Sequence, residues 1–190
     1  DALRNRRLYS SRDRDCLLDF RVNGALMGTI VKEPVKAVEA AVARQIEADL
    51  QAGLTPCFVA ATVGTTSSNG IDPLPDIGRI CREHGVAFAI DASQSAGKVP
   101  IDIDKDHIDI VAFTGHKSLL GPTGIGGLYV GEGVEIKVTR AGGTGVRSAV
   151  RTHLFEYPYR LEYGTLNSVG VAGLHAGVKW LEEKGMNNIH

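Results

Sequence analysis

Long apolar runs are missing from this chain: no stretch approaches the roughly eighteen uninterrupted apolar residues of a membrane span. No charged start followed by an apolar core reads as a signal peptide. Cysteine is scarce, with three in 190 residues. Cys16, Cys57 and Cys81 are odd in number, far apart and in no metal-ligand spacing. Neither a disulfide framework nor a metal site is therefore expected, and the compartment reads as reducing and cytoplasmic. An excess of one charge is also lacking, since 21 Lys and Arg face 22 Asp and Glu for a net charge of −1. Such a balance gives no field for holding nucleic acid or an anionic membrane. The one basic cluster, Arg4, Arg6, Arg7, Arg12 and Arg14, is diluted by Asp1, Asp13 and Asp15. Residues 1–30 read as a solvated, poorly ordered N-terminal segment.

What remains is ordinary globular composition, and the length suits a single core over residues 31–190. Apolar residues at 35, 38, 42, 46 and 50 form a helical stripe after Pro34, which Gly53 closes. Residues 57–63 form a short apolar run ending in Gly64-Thr-Thr-Ser-Ser-Asn-Gly70, a strand followed by a turn. A second helix over 74–84 leads through Gly85 into the apolar run 86–90, and 108–113 repeats the strand pattern. Residues 126–130 read as a further strand and 169–184 as a late helix. Strand, helix and strand at this spacing predict an α/β fold with a mainly parallel sheet covered on both faces. The stretch from Gly131 to Leu166 is too long for a simple connection and reads as a functional or partner-facing segment.

Asp91 directly follows one apolar run, and Lys117 closely follows the next. If those runs are successive parallel strands, both residues emerge at the carboxyl edge of the sheet, where open α/β sheets bind ligands. From spacing alone, a turn aspartate and a solvated lysine are the commoner readings of these two residues. The surroundings add chemistry. A nucleophilic lysine must be desolvated or crowded by cations to shed its proton near neutral pH, and His116 and the glycines after it supply part of that. Gly121, Gly124, Gly126 and Gly127 also let backbone N–H groups approach an anion. No lysine and hydroxyl follow at the offset of a nucleotide triphosphate loop.

Asp91-Ala-Ser-Gln94, Thr114-Gly-His-Lys117, Gly121-Pro-Thr-Gly-Ile-Gly-Gly127, Gly142-Gly-Thr-Gly145 and Glu162-Tyr-Gly-Thr-Leu-Asn167 together resemble the class V aminotransferase family. The resemblance is closest to its cysteine desulfurase-like members and covers roughly residues 86–185. It implies part of a three-layer αβα large domain of the fold type I enzymes that use pyridoxal 5′-phosphate. Residues 55–85, with Thr55-Pro-Cys-Phe-Val-Ala-Ala-Thr-Val-Gly-Thr-Thr, look more like the group II amino-acid decarboxylases of the same fold and cofactor.

The resemblance also implies roles. Lys117 would carry the cofactor as a Schiff base and shuttle a proton at the substrate α-carbon. Asp91 would pair with the ring nitrogen, Gln94 would donate to the ring phenolic oxygen, and Ser93 would lie near the ring face. Thr114 and His116 would hold the phosphate, while Gly143 and Thr144 would reach the phosphate of a neighbouring subunit in a two-fold homodimer. Thr65 and Thr66 read either as ring-edge groups or as a hydroxyl-rich turn. Asn167 is given no chemistry, and Cys57 and Cys81 read as small core residues. A small amino acid is the implied substrate. A decarboxylase, or a catalytically silent piece that folds and dimerises, is the alternative.

Overall fold

The computed structural model describes residues 35–189, with side chains from Val38 on, and two residue pairs before them. Those pairs, β1 (Arg21–Val22) and β2 (Ala25–Leu26), lie antiparallel to one another. Apart from them, the expectation for residues 1–30 falls outside the described residues.

The first helix, α1 (Val35–Gln51), buries Val42 and Ile46 as its stripe predicts. Leu50, placed on the same stripe from sequence, is instead 50% exposed. Each step of four residues overshoots a full turn by about 40°, so Leu50 stands about 40° beyond Ile46 and about 80° beyond Val42, past the rim of the buried face. Gly53, at φ +76°, ends the helix, and Leu54 N–H bonds back to Asp49 O at 2.9 Å. Cys57 is disulfide-bonded, which corrects the expectation that the cysteines form no disulfide. The cysteine count therefore carries no argument about compartment.

Four strands follow: β3 (Phe58–Thr62), β4 (Ala87–Asp91), β5 (Ile110–Thr114) and β6 (Gly126–Val130). They lie in sequence order, with β3, β4 and β5 parallel and β6 antiparallel to β5. Between β3 and β4 runs α2 (Leu74–His84), which opens on prolines and closes on Gly85 at φ +65°. A left-handed residue costs glycine nothing, and here it turns the Val86 N–H back to Cys81 O at 2.9 Å.

Alternation along the strands decides what is buried. Val59, Ala61 and Val63 of the first segment, Phe88, Ile90 and Ala92 of the second, and Val111 of the third join α1 and α2 in one core. Phe88 is its largest fully buried side chain, and removing such a ring from water is worth about 2–3 kcal/mol. The other face carries Ala60, Ala89 and Ala112, which are only partly covered or exposed. The sequence predicted cover on both faces; among the described residues α1 and α2 cover one. The sheet is thus α/β and mainly parallel, in the manner of a partial αβα domain.

Burial makes Cys81 chemically quiet. It is fully buried on the inner face of α2, and burial pushes its thiol up to about 12, so it serves as packing rather than as a nucleophile.

The outer edge of β3 is partly sealed by Asp72, whose Oδ2 accepts the Thr62 N–H at 2.7 Å while its own N–H returns to Thr62 O at 3.1 Å. Burial outweighs that hydrogen bond and raises the Asp72 carboxyl above its ordinary range. A raised carboxyl binds its proton more tightly in the folded chain, so its contribution favours folding at acid pH and is lost as pH climbs through the raised value. Asp72→Asn keeps an acceptor for Thr62 and removes the charge. Its stability relative to wild type should therefore rise between about pH 4 and about pH 7, measured by urea unfolding at both ends. A difference that is flat with pH would contradict the assignment.

Candidate active site

The strand register sets the site. Thr62, Asp91 and Ala112 stand in one row across β3, β4 and β5, and Thr114 ends β5 two residues further on. Because these three strands are parallel, Asp91, Thr114 and the turn carrying Lys117 all leave the sheet at its carboxyl edge.

Each loop at that edge is tied to the next. Asp91 Oδ1 accepts the Ser93 N–H at 2.9 Å, an aspartate turn that bends the chain immediately after β4. Thr114 Oγ1 then donates to Ser93 O at 3.3 Å, and Ser118 Oγ donates to Gln94 O at 3.4 Å. From the other side, Gln94 Nε2 donates to Thr66 Oγ1 at 2.7 Å. Two stretches that are distant in sequence, the turn carrying Thr66 and the run from Thr114 to Ser118, thus hold Ser93 and Gln94 in place. Asp91 and His116 are exposed, whereas Ser93, Gln94, Thr114 and Lys117 are half-buried.

The lysine turn closes on itself and on the late helix α3 (Ser168–Lys184). Gly115 N–H bonds to Ile125 O and Gly121 N–H to Gly115 O, each at 2.8 Å, while Leu120 N–H returns to Lys117 O at 3.0 Å. Space is tight. A Cβ on Gly115 would lie 2.7 Å from Ile125 Cγ2, one on Gly173 would lie 2.8 Å from Pro122 Cδ, and one on Gly177 would lie 2.4 Å from Leu119 O. Asn167 caps α3 by accepting the Gly170 N–H at 2.9 Å, and its Nδ2 donates to Gly124 O at 3.3 Å. It is a joint between the helix and the glycine run, which is a positioning role and not a chemical one. The asparagine before a helical pattern was the available signal, although its second bond depends on the fold.

Gly143 and Thr144 are not brought to this cluster. Gly143 O accepts from Gly164 N–H at 2.9 Å, and Thr144 Oγ1 accepts from Val146 N–H at 3.4 Å. A cavity of about 730 Å³ lined by Arg82, Val86, His107 and Asp109 lies at the opposite edge of the sheet. Among the described residues no three or more His, Cys, Asp or Glu are grouped to hold a metal ion. No helix among them is long and apolar enough to cross a membrane.

An acid, an amine, an imidazole and hydroxyls therefore meet at one sheet edge beside a glycine-rich turn. The model of the aminotransferase class-V family matches residues 30–190. The chain belongs to that family.

Among curated relatives, it is 38% identical over 123 residues to a probable cysteine desulfurase of Pyrococcus abyssi, covering 63% of this chain and 31% of the relative. It is 36% identical over 124 residues to the cysteine desulfurase IscS of Rickettsia akari, covering 63% and 30%. Among solved structures, a cysteine desulfurase of Thermococcus onnurineus superposes at TM-score 0.61 with 30% identity, over 78% of this chain and 36% of that one. C-DES with glycine covalently linked to its PLP cofactor superposes at TM-score 0.63 with 30% identity, over 77% and 39%. The chain spans about a third of the length of the relatives it matches.

The seam between α3 and the lysine turn is open to test. Alanine in place of a mid-helix glycine ordinarily favours the helix by about 1 kcal/mol. At Gly177 the added methyl meets the Leu119 carbonyl, so Gly177→Ala should lower stability by about 1–3 kcal/mol in urea unfolding. A stabilised variant would show that α3 does not rest on the turn.

Proposed function

We propose that this chain forms the cofactor-holding part of a pyridoxal 5′-phosphate enzyme that acts on a small amino acid in the manner of a cysteine desulfurase. The observation that carries the reading is the convergence of Asp91 and Lys117 at one edge of the parallel sheet, with Ser93, Gln94, Thr114 and His116 around them. The donor set fits the group. A carboxylate suits a protonated ring nitrogen, hydroxyl and imidazole suit a phosphate, and a half-buried amine suits an aldehyde.

Bound there, the cofactor supplies an electron-poor ring that takes up the electron pair released at the substrate α-carbon. Lys117 holds the cofactor and then moves a proton at that carbon. Asp91 keeps the ring nitrogen protonated, while its bond to Ser93 N–H fixes the direction of its carboxylate. Gln94 donates to the phenolic oxygen, Ser93 lies by the ring, and Thr114 and His116 hold the phosphate.

A two-fold homodimer belongs to the same reading, with Gly143 and Thr144 reaching the partner's phosphate. Supporting it, Phe155, Leu166 and Val169, on or beside the long segment after β6, are 69%, 59% and 80% exposed, more apolar surface than one short stretch usually leaves bare. Residues 31–190 as one unit complete the reading. The decarboxylase alternative rests on residues 55–85 alone, and the curated relatives do not favour it.

Loading the protein with pyridoxal phosphate, reducing it with borohydride and mapping the labelled peptide tests the proposal. The label should fall on Lys117, and Lys117→Ala should lose the visible absorbance. Asp91→Asn retains an acceptor for Ser93 N–H, so it should keep the label while turnover of cysteine falls about 10²-fold or more. Label scattered over surface lysines would overturn the proposal, and a labelled protein inert toward every amino acid would favour the catalytically silent alternative.

A further inference from the structure

We propose that Thr66 is a positioning residue for Gln94, setting the direction in which Gln94 donates to the cofactor; this rests on the reading above that Gln94 faces the phenolic oxygen. A primary amide nitrogen carries two coplanar hydrogens. Gln94 Nε2 spends one of them on Thr66 Oγ1 at 2.7 Å, which fixes the direction of the other. The remaining hydrogen is the one available to an acceptor at the site.

The turn that presents Thr66 is itself closed. Gly64 and Thr65 N–H groups both bond to Gly70 O, at 3.1 and 3.0 Å, and Asn69 N–H bonds to Thr65 O at 2.9 Å. Thr65 Oγ1 lies 2.6 Å from Ser68 Oγ and accepts Gly70 N–H at 3.1 Å, so Thr65 serves the turn while Thr66 serves the site. Gly64 stands at φ +86°, and a Cβ there would come within 3.3 Å of Gln94 Cβ. The turn therefore packs against the glutamine as well as bonding to it. Branching at Cβ restricts the threonine rotamer, so the oxygen Gln94 binds is held in one place. The backbone of Gln94 is held separately by Ser118 Oγ.

The consequence is electrostatic. A donor on the phenolic oxygen draws off negative charge, so the neighbouring Lys117 nitrogen gives up its proton more readily. Loosening Gln94 should return that charge and raise the pH at which the cofactor's visible absorbance changes.

Wild type, Thr66→Val, Thr66→Ala and Thr66→Ser are compared as full-length proteins loaded with pyridoxal phosphate, with absorbance titrated against pH. The Gln94 side-chain amide resonances are recorded separately in the cofactor-free proteins. Valine and alanine should each raise the absorbance midpoint by about half a unit or more and shift the amide resonances. Serine should restore both, and thermal midpoints of the cofactor-free proteins should change little. Wild-type midpoint and resonances in the valine and alanine variants, with Lys117 still labelled, would overturn the positioning role and leave the functional reading standing. Failure of the wild type to carry cofactor on Lys117 would overturn both.

Discussion

Parallel pairing of β4 with β5 is the constraint on which everything at the site depends. It sends both strands out at the same edge, so an aspartate at the end of one and a lysine just beyond the other leave the sheet on the same side despite 25 intervening positions. An antiparallel pair would have sent them to opposite ends of the sheet. The core beneath enforces the pairing through Phe88, Ile90 and Val111, which share one buried cluster.

Above that sheet, precision comes from hydrogen bonds between loops rather than from the strands. Ser93 and Gln94 are held through both side-chain and backbone groups by Asp91, Thr114, Ser118 and Thr66. Such bonds are worth about 1 kcal/mol each, so their value lies less in stability than in narrowing the positions these groups can take.

The regular elements were legible because their signals are local. The helix predicted over 74–84 is α2 to the residue, and those at 35–50 and 169–184 differ from α1 and α3 by one residue each. Proline near the start of a helix and glycine at its end carry that information in the sequence. Leu50 was misplaced because a spacing of four looks like a straight stripe in sequence and is a drifting one in space. Cover on one sheet face was likewise invisible, since alanines such as Ala60 and Ala89 suit buried and bare surfaces alike. Motif order picked out Asp91 and Lys117. The bonds from Thr66 to Gln94 and from Asn167 to Gly124 span 28 and 43 residues and exist only once the loops are folded.

The way α3 meets the lysine turn has a consequence for how that turn is held. Its footing includes glycines set against backbone and a proline ring, and Asn167 at its start bonds to Gly124 O. Strand β6 is anchored by its ladder with β5. The lysine turn is thus gripped from two sides, by the β5–β6 ladder that frames it and by α3 that lies against it, so its position is shared between the sheet and a helix far along the chain.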